Sequence, residues 1–201
     1  MTLSLVVLAS GRGSNLGALL RAIEAKTCDA RVAAVVSDHA DAPALIIAKK
    51  SRIPAEVIEK KDYPSALAFD EELLRRIEAH SPDLIVLAGY MRLLRSPRFF
   101  SLYKNRITNI HPSLLPKYLG AHAQADAFAA HEKVSGLTIH LVDESLDGGP
   151  VLYQEKVDIS DAKSADDVAE RILAREHIAY AKVIDDISKG RYPQVLHRPR
   201  F

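Results

Sequence analysis

An amide and an imidazole two residues apart, Asn109 and His111, close an apolar run just ahead of a proline. Alternate residues of a strand share one side, so at this spacing both side chains would face one crevice. An amide supplies fixed hydrogen-bond donors, and an imidazole exchanges protons near neutral pH. Asp147, ahead of Gly148-Gly149-Pro150, offers a carboxylate on a turn. Beside His111 it would favour the imidazolium and hold the ring for acid–base work. Taken singly, His111 also reads as a loop histidine bonded to backbone, and Asp147 as a turn-former before glycine.

A second group lies near the start of the chain, where Gly11, Arg12, Gly13, Ser14 and Asn15 follow an apolar run and open a helical pattern. Glycines let backbone approach a ligand, and free N–H groups at a helix start attract an anion. A dinucleotide fingerprint would need glycine where Leu16 stands; a P-loop ending and a G-x-S-x-G elbow are both missing. Two readings remain: a small anion loop, or a plain turn with Ser14 or Asn15 capping the helix. Asp38, about 20 residues on, would be the ribose partner in a nicotinamide-binding reading. His111, His122 and His140 match no helical metal-ligand spacing, and no cysteine assists them, so no metal is expected. Ser113 beside His111 has no triad geometry.

These groups need a scaffold that carries them to one edge. Short apolar runs at 3–9, 32–36, 56–58, 84–88 and 107–110 alternate with helical patterns at 15–26, 42–51, 65–79 and 97–103. That alternation predicts an α/β domain: an open, mostly parallel twisted sheet with helices on both faces. Two more strands, 137–142 and 151–157, and a helix from about 164 to 189 complete the pattern, with an irregular loop from His111 to His122. One domain is expected over 1–201, its Rossmann-like N-terminal half (about 1–106) binding phosphate and its C-terminal half (about 107–190) carrying the chemistry. In such sheets ligands sit beyond the carboxyl ends of the strands, which puts the glycine loop and His111 on the same edge.

Composition bounds the partners. With 201 residues, Lys plus Arg at 27 and Asp plus Glu at 26, the chain has no overall field to gather nucleic acid or an anionic membrane. An anion must therefore be held locally. A lone cysteine, Cys28, excludes an internal disulfide and fits the cytoplasm. The apolar opening at 3–9 has no basic leader and is too short to span a membrane. A monomer or a weak homodimer is expected.

Taken together, V-V-L-A-S-G-R-G-S-N-L near the start, A-G-Y-M-R-L-L at 88–94, N-I-H-P-S-L-L-P-K-Y at 109–118 and S-L-D-G-G-P-V-L at 145–152 resemble the phosphoribosylglycinamide formyltransferases. These are folate-dependent enzymes of purine synthesis that formylate glycinamide ribonucleotide. The N-x-H-P-S-L-L-P and D-G-G segments are shared with methionyl-tRNA formyltransferase and formyltetrahydrofolate hydrolase; the S-G-x-G-S-N opening and the length narrow the choice. The resemblance implies a formyltransferase fold and 10-formyltetrahydrofolate as co-substrate. It assigns Asn109, His111 and Asp147 to catalysis, and Gly11, Arg12, Gly13, Ser14, Asn15 and Glu176 to the ribonucleotide. Met91, Arg92, Leu93, Leu94, Asn109, Val142, Asp143 and Asp147 are assigned to the folate, with Gly120 and His122 as further contacts. Three departures stand out: Ala66 where the family usually has arginine in S-R-x-x-[FY]-D, altered neighbours around His122, and Asp143 where close relatives have threonine. Formylfolate hydrolysis and a non-catalytic phosphate sensor are the rival readings.

Overall fold

The structure is a computed structural model and describes residues 2–196. In chain order its elements are β1 (Leu3–Leu8), α1 (Ser14–Glu24), β2 (Ala30–Ser37), α2 (Pro43–Lys50), β3 (Ala55–Val57), α3 (Ala66–Ala79) and β4 (Leu84–Leu87). Then come α4 (Pro97–Leu102), β5 (Ile107–His111), α5 (Ala123–Ala129), β6 (Val134–Leu141), β7 (Val151–Asp158) and α6 (Ala165–Ser188). The strands form one sheet in the order β3-β2-β1-β4-β5-β6-β7. β3 to β5 are parallel, whereas β6 and β7 add on antiparallel, giving the open, mostly parallel sheet expected.

Both faces are covered. Along β1, Leu5 and Val7 join one core with Leu16 and Leu19 of α1 and Ile172 and Ile184 of α6, while Val6 and Leu8 join the other with Phe69, Leu73, Leu74 and Ile77 of α3 and Phe99. The Phe69-to-Ile77 stripe thus buries one face of α3, whose first turn is capped by the Ser65 hydroxyl accepting from the Ala68 N–H at 3.0 Å.

Two elements differ from expectation. α5 follows the loop where no helix was expected; it is seven residues long and has no side-chain cap, so its local signal is weak. β6 begins at Val134 rather than 137, because Ser135-Gly136 lacks the branched and aromatic residues by which strands are read. Gly136 is required there: a Cβ would sit 2.0 Å from the Glu155 carbonyl oxygen of β7.

A buried phenol locks α6 to the central strands. The Tyr180 hydroxyl lies 3.1 Å from the Leu87 carbonyl, 3.0 Å from the Thr108 carbonyl and 3.1 Å from the Thr108 hydroxyl. Its removal leaves buried acceptors unmet next to Asn109. Tyr180→Phe should cost about 1–3 kcal/mol of unfolding free energy, read as a lower urea midpoint at constant slope.

Candidate active site

Three groups of loops meet at the carboxyl edge of the parallel strands and enclose a cleft of about 950 Å³. On the first wall, Gly13 is the residue before α1, in the left-handed conformation (φ +70°), with a Cβ position only 2.7 Å from Ala44 Cα of α2. Only glycine fits a backbone pressed this closely against a neighbouring helix. Ser14 and Asn15 lie inside α1 and no side chain caps it, so the capped-turn alternative is not what forms. The first N–H groups of α1 remain open to an anion. Asn15 Nδ2 donates to Glu176 Oε2 at 2.9 Å. Glu176, on α6, is 6% exposed, and burial pushes its carboxyl above the usual range.

The second wall is built by strand register. β5 and β6 pair Asn109 with His140, and Asn109 Nδ2 lies 3.2 Å from His140 Nε2. Burial lowers the His140 pKa, keeping the ring neutral, and its Nδ1 lies 2.9 Å from the Leu141 carbonyl, which can only accept. The proton therefore sits on Nδ1, and Nε2 accepts from Asn109. This fixes which way the Asn109 amide points and leaves its second N–H uncommitted.

His111, 4% exposed, donates from Nε2 to the Tyr118 carbonyl at 2.8 Å. Its Nδ1 faces Asp147 Oδ2 at 3.6 Å, and the other Asp147 oxygen lies 3.8 Å from His140 Nε2. Both separations exceed a hydrogen bond, so the carboxylate sets the local field without locking either ring. The Gly120 N–H holds Asp147 Oδ2 at 2.9 Å. Asp147 itself adopts φ +50°, a left-handed conformation that aspartate tolerates better than most residues. Gly149 permits that turn: a Cβ there would meet the Leu141 carbonyl oxygen at 1.9 Å.

The third wall runs along residues 89–97. The Met91 N–H donates to the Ser10 hydroxyl at 2.9 Å, tying this wall to the glycine loop. Met91, Arg92, Leu93 and Leu94 line the cleft, as do Val142 and Asp143. The structure thus brings Asn109, His111, Asp147, Gly11, Arg12, Gly13, Ser14, Asn15, Glu176 and Gly120 to one cleft as well. His122 is not on its wall; it precedes α5, exposed to solvent, and Gln124 of α5 faces the cleft in its stead.

Sequence reasoning weighed His140 only as a metal ligand and overlooked Ser10, Tyr90, Phe100 and Gln124. Its alternation with Thr138 along β6 was the available signal for His140. Among the described residues, no group of three or more His, Cys, Asp or Glu could hold a metal, and no helix is long and apolar enough to cross a membrane.

This geometry defines a class. The formyl transferase family matches residues 3–184, and the chain belongs to it. The chain is 41% identical over 189 residues to phosphoribosylglycinamide formyltransferase of Escherichia coli strain K12, covering 94% of this chain and 89% of that protein. To the protein of that name from Bacillus subtilis strain 168 it is 37% identical, covering 90% of this chain and 92% of the other. A crystal structure of glycinamide ribonucleotide transformylase 1 from Symbiobacterium toebii superposes with TM-score 0.91 at 41% identity, covering 94% of this chain and 89% of that one.

A neutral buried His140 has a measurable signature. Its folded-state pKa lies below the ordinary value of 6.5, so the unfolded chain binds the proton more readily. The ring's contribution to stability is full above about pH 6.5 and is lost as pH falls through that value toward the folded pKa. Denaturant titrations of wild type and His140→Asn between about pH 7.5 and pH 5 should show the steeper acid loss in wild type; parallel curves would refute the neutral ring.

Proposed function

We propose that this chain transfers a formyl group from 10-formyltetrahydrofolate to the amine of N1-(5-phospho-D-ribosyl)glycinamide, a step of purine biosynthesis. The family and the relatives' names support the reaction. The observation that carries it is that an amide, an imidazole and a carboxylate face the same cleft as an uncapped helix start. The ribonucleotide phosphate binds Gly11, Arg12, Gly13, Ser14 and Asn15, and Glu176 meets the same substrate. The folate lies along Met91, Arg92, Leu93, Leu94, Val142 and Asp143. Gly120 contributes by holding Asp147; His122, exposed and off the cleft wall, is given no role in this reading.

The neutral amine attacks the formyl carbon, and the carbonyl oxygen becomes an oxyanion in a tetrahedral intermediate. The second N–H of Asn109 and the Nδ1–H of protonated His111 meet that charge. Donors aimed at developing charge stabilise the transition state more than the ground state, at about 3–4 kcal/mol each. Asp147 supports the imidazolium and passes the amine's proton toward the departing folate nitrogen as the old carbon–nitrogen bond breaks. The folate is a co-substrate, released as tetrahydrofolate, and no metal takes part in this account. The near-balanced charge and lone buried cysteine support a cytoplasmic monomer or weak homodimer that uses small-molecule substrates rather than nucleic acid or membrane.

Incubation with both substrates should yield the formylated ribonucleotide by mass; formate release without the ribonucleotide would favour hydrolysis instead. His111→Ala should lower kcat by about 10²–10³-fold while ribonucleotide binding persists. Unchanged turnover would exclude the imidazole from the chemistry. The rate should fall at acid pH as the acceptor amine protonates, and a profile flat from about pH 5 to pH 8 would contradict amine attack.

A further inference from the structure

The imidazole and the carboxylate of the site lean on one short stretch of loop. The Tyr118 carbonyl accepts from His111 Nε2 at 2.8 Å, and two residues on, the Gly120 N–H donates to Asp147 Oδ2 at 2.9 Å. A shift of that stretch therefore moves both groups together. Upstream, the loop is pinned to the sheet: the Leu115 N–H donates to the Thr138 hydroxyl at 3.1 Å, and Gln154 Nε2 donates to the Leu115 carbonyl at 2.8 Å. Beyond Lys117 the chain enters the left-handed region at Tyr118 (φ +56°), a conformation that a bulky residue keeps only where its surroundings impose it.

A carboxylate outside the cleft supplies that hold. Glu132 lies in the turn between α5 and β6, and its own N–H donates to the Ala127 carbonyl at 3.1 Å, which fixes it to the end of α5. Glu132 Oε1 accepts from the Tyr118 hydroxyl at 2.9 Å and from Lys117 Nζ at 2.6 Å. These two donors keep its carboxyl below the usual range, and the bond to Glu132 pushes the Tyr118 phenol above its own, so acceptor and donor keep their roles at neutral pH. Lys117 is exposed, and an ion pair of that kind contributes little, whereas the Tyr118 ring is half-buried against the core. The phenol is thus the link that transmits the position of α5 to the loop.

Resting on the formyl-transfer reading above, we propose that Glu132 is a positioning residue: by tethering the Tyr118 side chain it sets the carbonyl and the N–H that aim His111 and Asp147 at the formyl carbon. Glu132 lies on no wall of the cleft and touches no substrate. Its charge is secondary to its reach, because any oxygen acceptor at the same place holds the phenol.

Steady-state kinetics and imidazole NMR on the full chain test this. Glu132→Ala and Tyr118→Phe should each lower kcat about 10–100-fold, the cost of misplacing a group at the reacting centre, with KM for both substrates within about twofold. The double variant should fall no further than either single one. Glu132→Gln keeps an acceptor for the phenol, and Lys117→Ala removes the ion pair but not the tether; both should stay within about threefold of wild-type kcat. In isotopically labelled resting protein, the His111 Nε2–H resonance, assigned by its loss in His111→Ala, should exchange with water about tenfold faster in Glu132→Ala and at the wild-type rate in Glu132→Gln. Unchanged kcat in Glu132→Ala and Tyr118→Phe overturns the tether, as does a loss that Glu132→Gln does not recover or that Lys117→Ala shares. An exchange rate indifferent to Glu132→Ala overturns it too. The resonance is read without turnover, so a response of the stated kind in a protein that transfers no formyl group would uphold the tether and sink the transferase.

Discussion

The antiparallel register that sets Asn109 opposite His140 is the contact on which the cleft depends. Side chains alternate along a strand, so a slip of one residue would carry His140 through the sheet and leave the Asn109 amide free to turn. The parallel half alone could deliver Asn109 and His111 to the edge but not orient them. Adding β6 in the opposite sense brings a neutral ring against the amide and, through the turn before β7, returns Asp147 to the histidines.

Placing ionisable groups at a buried edge is costly unless each is answered, and here the answers are largely backbone. The Leu141 carbonyl fixes the His140 tautomer, the Tyr118 carbonyl holds His111, and the Gly120 N–H holds Asp147. Backbone partners cannot rotate away or titrate, so they orient side chains without competing for the proton. The loop between β5 and α5 is therefore part of the site's support. Its irregularity reflects the need for one carbonyl and one N–H at two separate places, supplied with Tyr118 at φ +56° and Gly120 at φ +80°.

Much of this was legible in the residues. β1 and β4 are continuous apolar runs, which a strand buried on both faces must be, and α3 shows its helical stripe and serine cap. The glycine loop and the Asn-x-His spacing pointed to the correct edge because strand direction fixes where loops emerge. What could not be read depends on contacts distant in sequence. His140 looks like any apolar-strand histidine until β6 is paired with β5. α5, short and uncapped, is held by packing against α6 and carries little local signal. Nothing in Ala66-Leu67-Ala68 shows that the two acidic residues following Phe69 anchor the opposite wall of the cleft.

Of six buried side-chain atoms without a hydrogen-bond partner among the described residues, those of Ser4, Asp38, Ser135 and His177 belong to residues off the cleft wall, and two sit where stability can be traded for binding. Asn15 Oδ1 and the Tyr90 hydroxyl are buried without a hydrogen-bond partner among the described residues, and both residues line the cleft. Asp38 Oδ1 and His177 Nε2, likewise unmet, belong to residues adjacent in sequence to the lining His39 and Glu176. Each such atom costs about 1–3 kcal/mol where nothing can reach it. On a cavity wall, the Asn15 and Tyr90 atoms become unfilled valences that a polar ligand can satisfy, recovering on binding what folding left unpaired. Asn15 and Tyr90 then set two such atoms on the first and third walls of the cleft, where a ligand lying between them completes what the protein leaves unpaired.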